Sequence, residues 1–358
     1  MKRNYVIPFF MLHKGCPHQC IFCDQRRITG QENIRPGEVG RTIERYLSTI
    51  PSGEANIEIG FFGGTFTGLP RATQEEFLCS AYPFVREGRV KGIRLSTRPD
   101  FIDKAGLELL KKYGVTCVEL GVQSMSDMVL SLARRGYNSG AVEEASSLIL
   151  EEGFTLGHQI MVGLPSSRLE DEYFTARRAV ELGAAQVRIY PLIVIKDTEL
   201  AVWLEQKKFE PLDEDEAIER CMRLILYFEA NGVKVIRCGL HPSEGLLTGD
   251  DFLAGPFHPS FRQKVENRLF GVVLNELHKE KSVSAVLFNP QDESAIFGFK
   301  KENSLSFQWR SRSSRSTLIK DNEVPRGCLV IMRNGKTSIL DRKQMAERIL
   351  RDDERIKC

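Results

Sequence analysis

Three cysteines near the N-terminus have the residue type and the spacing most suggestive of chemistry. Cys16, Cys20 and Cys23 form a C-x3-C-x2-C pattern within GCPHQCIFCD, residues 15–24, directly after the apolar run at residues 6–11. Clustered cysteines at short spacing in a chain without paired, disulfide-like spacing are typical of a metal site, because thiolates are strong ligands for soft metals. The spacing therefore predicts a metal centre on a loop.

The number of thiolates narrows the kind of metal centre. A structural zinc site closes its coordination sphere with four ligands, whereas a four-iron cluster held by three cysteines keeps one iron open for chemistry. An iron–sulfur enzyme is the first interpretation. The second is a zinc-stabilised, non-catalytic binding module in which His13 or His18 supplies a fourth ligand and the metal only holds the loop together.

Short apolar runs alternate with amphipathic stretches after the cysteine loop. Parallel strands buried on both faces appear as nearly continuous apolar runs, and strand–helix alternation is typical of βα units. We therefore predict an α/β fold, an incomplete (β/α)6 TIM-like barrel with a small C-terminal α+β appendage. The predicted strands are residues 6–11, 57–62, 92–96, 115–122, 154–162 and 186–193, and the predicted helices are residues 38–49, 71–87, 103–113, 126–152 and 168–182.

Polar residues and paired glycines mark the carboxyl ends of these strands, where barrels of this kind place their functional groups. They are Gly63, Gly64 and Thr65 after the second strand, Arg98 after the third, Gln123 and Ser124 after the fourth, and His158 in the fifth. We predict that these residues contact a ligand. The alternatives are a tight turn for the glycines, pairing of Arg98 with Asp100, a polar ladder at the barrel rim, and a core histidine.

The cysteine pattern, with Phe22 just before the third cysteine, resembles that of the radical S-adenosylmethionine (SAM) enzymes. The resemblance implies that Cys16, Cys20 and Cys23 hold a 4Fe-4S cluster whose open iron chelates SAM, and that one electron cleaves SAM to a 5′-deoxyadenosyl radical. It also implies that Gly63, Gly64 and Thr65 form the family's glycine motif, which contacts the methionyl amino group.

Six strings in order resemble the radical SAM half of the catalytic subunit of Elongator over about residues 5–235: FFGGTFTG, STRPD, ELGVQS, RRG, GLP and IYPLIVIKDTEL. That resemblance implies a tRNA-modifying transferase acting at the wobble uridine. No acetyltransferase-like coenzyme-A loop follows residue 240, so a short bacterial form is expected, in which a partner supplies acetyl transfer or the substrate differs. A small-molecule or protein substrate is the alternative.

The composition of the 358-residue chain, with 42% hydrophobic and 27% charged residues, is ordinary for a soluble globular protein. No apolar run is long enough to span a bilayer and no signal peptide is evident, so we expect no membrane association. Nine cysteines without paired spacing indicate a reducing, cytoplasmic location. An electron donor protein is an expected partner, because the cluster needs a reductant.

The C-terminal part differs in charge from the rest of the chain. Residues 1–240 are predicted to form the barrel domain and residues 241–358 the appendage. Residues 281–358 carry 16 Lys and Arg against 10 Asp and Glu, and include RSRSSR at residues 310–315. Clustered arginines suit phosphate contacts, and a solvated basic face is the alternative. The resemblance to the Elongator subunit, together with this basic region, makes tRNA the predicted substrate. Cys238, His241 and His258 are a further candidate metal set without an evident fourth ligand.

Overall fold

Seven parallel strands form one sheet in the order β1-β2-β3-β4-β5-β6-β8. The structure is a computed structural model that describes residues 3–12, 14–16, 20–29, 33–50, 55–280, 282–303 and 317–351. The curled sheet is an incomplete barrel, which confirms the predicted α/β fold class. Its strands are β1 (Arg3–Phe10), β2 (Ala55–Phe62), β3 (Gly92–Thr97), β4 (Val115–Gln123), β5 (Thr155–Val162), β6 (Gln186–Pro191) and β8 (Lys234–Cys238).

The two faces of the sheet differ in polarity. Alternate residues such as Ile59 and Phe61 of β2 are fully buried against the surrounding helices. The residues between them face the barrel interior, and in β4 to β6 these include Glu119, Gln159 and Arg188, which bond to one another. Because successive side chains on a strand point to opposite faces, the apolar set builds the core and the polar set lines the interior.

Helices cover the outside of the sheet and connect its strands. They are α1 (Gln25–Thr29), α2 (Pro36–Thr49), α3 (Arg71–Arg86), α4 (Lys104–Lys112), α5 (Asp127–Leu132), α6 (Ser139–Glu151), α7 (Leu169–Glu181), α8 (Glu199–Glu205) and α9 (Glu214–Ala230). The prediction of one helical segment over residues 126–152 was wrong, because this segment forms two helices, α5 and α6. Arg134 has φ +52° and Gly136 has φ +76°, and both values are incompatible with a continuous right-handed helix.

The elements after β8 form a second, smaller α+β arrangement. They are α10 (Glu244–Thr248), β9 (Phe252–Ala254), α11 (Phe261–Lys279), β10 (Val283–Phe288), α12 (Glu293–Phe297), β11 (Thr317–Lys320), β12 (Leu329–Arg333), β13 (Lys336–Leu340) and α13 (Arg342–Leu350). Four of these strands make a sheet in the order β11-β10-β12-β13, and β9 pairs with β7 (Val194–Ile195).

The appendage packs against the barrel through shared apolar side chains. One buried cluster contains Ile7 of β1, Phe228 of α9, Phe270 of α11 and Leu350 of α13. The division at residue 240 stays a prediction. RSRSSR lies outside the described residues. Within the part of the chain that the structure describes, no helix is both long and apolar enough to cross a membrane.

Candidate functional site

The cysteine loop packs backbone to backbone against the glycine turn that follows β2. The amide of Thr65 donates to the carbonyl of Lys14 at 2.9 Å. Gly15 has φ +74°, and a Cβ there would lie 2.2 Å from the carbonyl oxygen of Thr65; Gly64 has φ +134°, and a Cβ there would lie 2.3 Å from that of Met11. Only glycine permits this approach, so these glycines join the two loops.

The three cysteines lie at the carboxyl end of the barrel with different exposure. Cys20 is buried, whereas Cys16 and Cys23 are half-buried. Burial, together with the neighbouring Cys20 and Cys16 thiols, raises the pKa of Cys23 to about 12. The described residues contain no group of three or more His, Cys, Asp or Glu side chains already arranged to hold a metal. His13 and His18, the candidate zinc ligands, lie outside the described residues.

Arg135 connects the cysteine loop to the end of β4. Its Nη1 donates to Cys20 Sγ at 3.0 Å, and its Nη2 donates to the carbonyl of Gly121 at 2.8 Å. Nε and Nη2 also bond the hydroxyl of Tyr137, at 2.9 and 2.8 Å. The guanidinium is almost fully buried, so the break between α5 and α6 brings a fixed positive charge to the cysteines.

Arg98 lies beside Arg135 and is buried. Its Nε and Nη2 donate to the two carboxylate oxygens of Asp100 at 2.9 and 2.8 Å, and Nη2 also reaches the carbonyl of Arg135 at 2.5 Å. Nη1 is buried and has no hydrogen-bond partner among the described residues. The pairing with Asp100, left open by the sequence, is therefore present, and one donor remains unused.

Like Arg98, Thr65 has a buried polar atom without a hydrogen-bond partner among the described residues. Its side chain is 1% exposed, and its hydroxyl has no hydrogen-bond partner within the described chain. A buried polar atom without a partner costs free energy comparable to a lost hydrogen bond. Thr65 contacts the cysteine loop directly through Lys14, and Arg98 is linked to that loop through Arg135, which bonds Cys20.

A charged network fills the middle of the barrel interior around Glu119. Arg188 Nε donates to its carboxylate at 2.5 Å, Arg94 Nε lies 3.0 Å away, and Gln159 Nε2 donates at 3.2 Å. Burial alone would raise the pKa of Glu119, but the two guanidinium groups hold that pKa below its ordinary value. Glu119 is therefore an ionised carboxylate in the barrel interior.

Gln123 and Ser124 end β4 in an irregular conformation. Gln123 has φ +66°, which is strained for a side chain of its size, and the register between β4 and β5 shifts between Gly121 and Gln123. Ser124 bonds away from the interior, since its hydroxyl accepts from the amide of Ser126 at 3.1 Å and lies 3.5 Å from Thr175 of α7. Strain concentrates at ligand sites, so Gln123 stays a candidate.

His158 lies on the outer face of β5, opposite Gln159. It is 1% exposed, and its Nε2 lies 3.0 Å from the hydroxyl of Ser146 on α6. Burial lowers the pKa of His158 to about 3, so the ring is neutral. This placement is that of a core histidine and does not support a contact with SAM.

The second candidate metal set is not assembled. Cys238 is a buried free cysteine, and its thiol forms a hydrogen bond with the free thiol of Cys221 on α9. His241 is exposed, and His258 Nδ1 accepts from the amide of Ser260 at 3.0 Å. Within the described ranges these three side chains form no metal site.

Two family models match most of the chain. Residues 11–176 match the model described as the radical SAM superfamily, and residues 184–270 match the radical SAM C-terminal domain. The chain belongs to the radical SAM superfamily. It is therefore an enzyme of that class, and the family implies a 4Fe-4S cluster and SAM as cofactors.

Relatives of this radical SAM protein include a protein named for tRNA modification and a protein named for the Elongator complex. It is 28% identical over 247 residues to the tRNA uridine(34) acetyltransferase of Methanocaldococcus infernus, covering 57% of this chain and 46% of that protein. It is 29% identical over 192 residues to human Elongator complex protein 3, covering 47% and 35%. The chain spans about half, or less, of the length of these two relatives.

A solved structure supports the fold. The archaeal Elp3 of Methanocaldococcus infernus, with an N-terminal deletion, superimposes with a TM-score of 0.59 at 21% identity, covering 75% of this chain and 63% of that one. At this identity, the likeness concerns the fold alone. It agrees with the incomplete parallel barrel.

The described residues fit the two radical SAM cofactors. Three thiols on one loop suit a cluster with an open iron. The unused hydroxyl of Thr65, on the turn that contacts this loop, and the unused Nη1 of Arg98 are both buried, and a polar ligand would satisfy them. Arg135, Tyr137 and Gln159 belong to the same region and were not predicted as site residues from the sequence.

Proposed function

We propose that this radical SAM enzyme holds a 4Fe-4S cluster through Cys16, Cys20 and Cys23, cleaves SAM reductively and modifies tRNA at the wobble uridine. The observation that supports it best is the cysteine loop locked by glycines onto the turn that bears the unpartnered Thr65 hydroxyl. The bound cofactors would supply a 5′-deoxyadenosyl radical that removes a hydrogen atom from the substrate. An electron donor protein would supply the electron.

The protein's own part is to orient SAM and to exclude water. The backbone at Gly63 and Gly64, the Thr65 hydroxyl, Arg98 Nη1 and the strained Gln123 are the proposed SAM contacts. Arg135 and Gln159 join them, because the guanidinium of Arg135 contacts Cys20 and the amide of Gln159 bonds Ser96 Oγ at 2.7 Å in the interior. Ser124 and His158 are left out, because both bond to the helix layer.

The tRNA substrate is supported by the relatives' names and by the excess of basic residues in the C-terminal part. Phosphate contacts made by Lys and Arg weaken steeply as salt rises. A tRNA affinity that does not respond to salt would argue for a small-molecule or protein substrate instead.

The test is anaerobic reconstitution with iron and sulfide, followed by dithionite, SAM and chromatography for 5′-deoxyadenosine, with and without bulk tRNA. We expect a brown protein that forms 5′-deoxyadenosine, and more of it with tRNA. A colourless zinc protein, or a loaded cluster without this product, would refute the proposed reaction.

Single cysteine variants test the ligand set. Cys16→Ala, Cys20→Ala and Cys23→Ala should each lose the cluster, measured as iron and sulfide per chain. Cys79→Ala is the matched control, since Cys79 is exposed on α3. A loop variant that kept full iron content would remove that cysteine from the ligand set.

A further inference from the structure

Arg237 is a half-buried arginine on β8, the last strand of the parallel sheet. It is the register partner of Arg188, whose guanidinium lies in the barrel interior. The next residue, Cys238, packs on the outer face against Cys221 of α9. Because neighbouring residues on a strand point to opposite faces, the Arg237 side chain is directed inward at the edge of the sheet.

The guanidinium of Arg237 makes few contacts. Its Nε donates to the carbonyl of Gly239 at 3.1 Å, and its two Nη groups have no hydrogen-bond partner in the described ranges. No carboxylate of the described residues pairs with it, whereas Arg98 and Arg188 bond Asp100 and Glu119. Arg237 is therefore an unpaired cation with two free donor groups.

The surroundings of Arg237 carry surplus positive charge. On the described inner faces of the strands, Arg94 pairs with Glu58 and Glu119, and Arg188 pairs with Glu119. Arg237 is a third guanidinium group on these faces, against two carboxylates. Burial and the nearby charge of Arg188 lower the pKa of Arg237. A half-buried charge without a partner is costly, and an anionic ligand would remove that cost.

We propose that Arg237 binds a phosphate group of the RNA substrate at the edge of the barrel, beside Tyr190. Two free N–H groups of a guanidinium match two oxygens of a phosphate. Tyr190 lies two residues beyond Arg188 on the same face of β6, and aromatic rings beside phosphate contacts are usual where single-stranded nucleic acid binds. This inference rests on the tRNA substrate of the proposed function.

The experiment compares Arg237→Gln, Arg237→Lys and Arg45→Gln in the cluster-loaded full chain. Arg45 is exposed on α2 and serves as the matched control. Binding of bulk tRNA is measured by filter binding over a range of salt, and binding of uridine 5′-monophosphate by calorimetry. Iron content and circular dichroism verify that each variant folds and holds its cluster.

We expect Arg237→Gln to weaken tRNA binding about tenfold and to reduce the slope of log affinity against log salt by about one. The tRNA affinity of Arg237→Lys should lie between those of the wild type and Arg237→Gln, since lysine keeps the charge but not the paired donors. Arg45→Gln should match the wild type.

Equal tRNA affinity and salt slope for Arg237→Gln and Arg45→Gln would overturn the inference. Weaker binding of uridine 5′-monophosphate alone would assign the phosphate to a free nucleotide and overturn the RNA source. If the wild-type protein does not bind tRNA, the proposed tRNA substrate is wrong. The inference about Arg237, which rests on that substrate, is then overturned with it.

Discussion

Glu172 fixes the turn that follows β5 at the barrel mouth. Its carboxylate accepts from the amide of Gly163 at 2.8 Å and from Arg220 Nη1 at 3.2 Å. Burial raises the pKa of Glu172 to about 7, although Arg220 and the Gly163 amide act in the opposite direction and Asp171 adds to the rise. The folded protein therefore holds a proton on Glu172 at a pH where the unfolded chain has released it.

This shift predicts a pH dependence of stability with a definite sign. The folded pKa lies above the unfolded one, so the contribution is complete below about pH 4.5 and is lost as pH rises to about 7, by roughly 1.4 kcal/mol per pH unit. Glu172→Gln should remove this dependence, measured by urea unfolding at several pH values. If the unfolding free energies of the variant and the wild type changed in parallel with pH, this prediction would be contradicted.

His158 predicts the opposite dependence. Its pKa falls from 6.5 to about 3 on folding because of burial, so its contribution is complete above pH 6.5 and is lost as pH falls towards 3. His158→Met should reduce the loss of unfolding free energy in that range and leave SAM affinity unchanged. Weaker SAM binding by this variant, with the fold intact, would restore His158 as a ligand.

The neighbours His158 and Gln159 show where residue-level prediction from sequence ends. Both are polar, and only the phase of the strand decides which of them faces the interior. His158 is in phase with Leu156, Ile160 and Val162, the fully buried set, and Gln159 is in phase with Met161. That alternation was a usable signal, because the more apolar phase packs on helices.

At the scale of elements, the apolar runs located six strands well because each is nearly continuous. The seventh, Lys234–Cys238, was missed: KVIRC is short and carries two charges, one of which points into the polar interior. The break between α5 and α6 was also missed, because an arginine with positive φ leaves no trace in composition. The missed strand carries Arg237 and the missed break carries Arg135, so the sequence patterns did not locate these two proposed contact residues.

The break between α5 and α6 predicts different outcomes for two adjacent arginines. Arg135→Gln should lower SAM affinity about tenfold or more, because a buried charge beside Cys20 is lost. Arg134→Gln is the control, since Arg134 is exposed and pairs with Glu199 on the surface. The measurement is the change in the electron paramagnetic resonance spectrum of the reduced cluster on SAM titration; equal midpoints for both variants would exclude Arg135 as a SAM contact.

At the scale of the whole molecule, α9 is shared between the barrel and the appendage. It packs beside α7 on one side and against α11 and α13 on the other. Arg342 of α13 bonds Glu229 of α9 at 2.9 Å and Glu266 of α11 at 2.8 Å. Burial raises the pKa of Glu229, although Arg342 acts in the opposite direction. The appendage is thereby tied to the barrel by a half-buried ion triad as well as by apolar contact.

Removing this tie should destabilise the whole chain and not the appendage alone. Arg342→Met leaves the half-buried Glu229 without its bonded cation and Glu266 with Arg262 alone. This should cost about 3 kcal/mol, seen in urea unfolding as a lower midpoint of one cooperative transition. Lys343→Met, on the exposed side of the same helix, should change stability by less than about 0.5 kcal/mol. A separate early transition in Arg342→Met, with the barrel transition unmoved, would show that the two parts fold independently. The apolar cluster that runs from Ile7 to Leu350 predicts a single transition, because neither part can lose its share of that cluster without exposing the other.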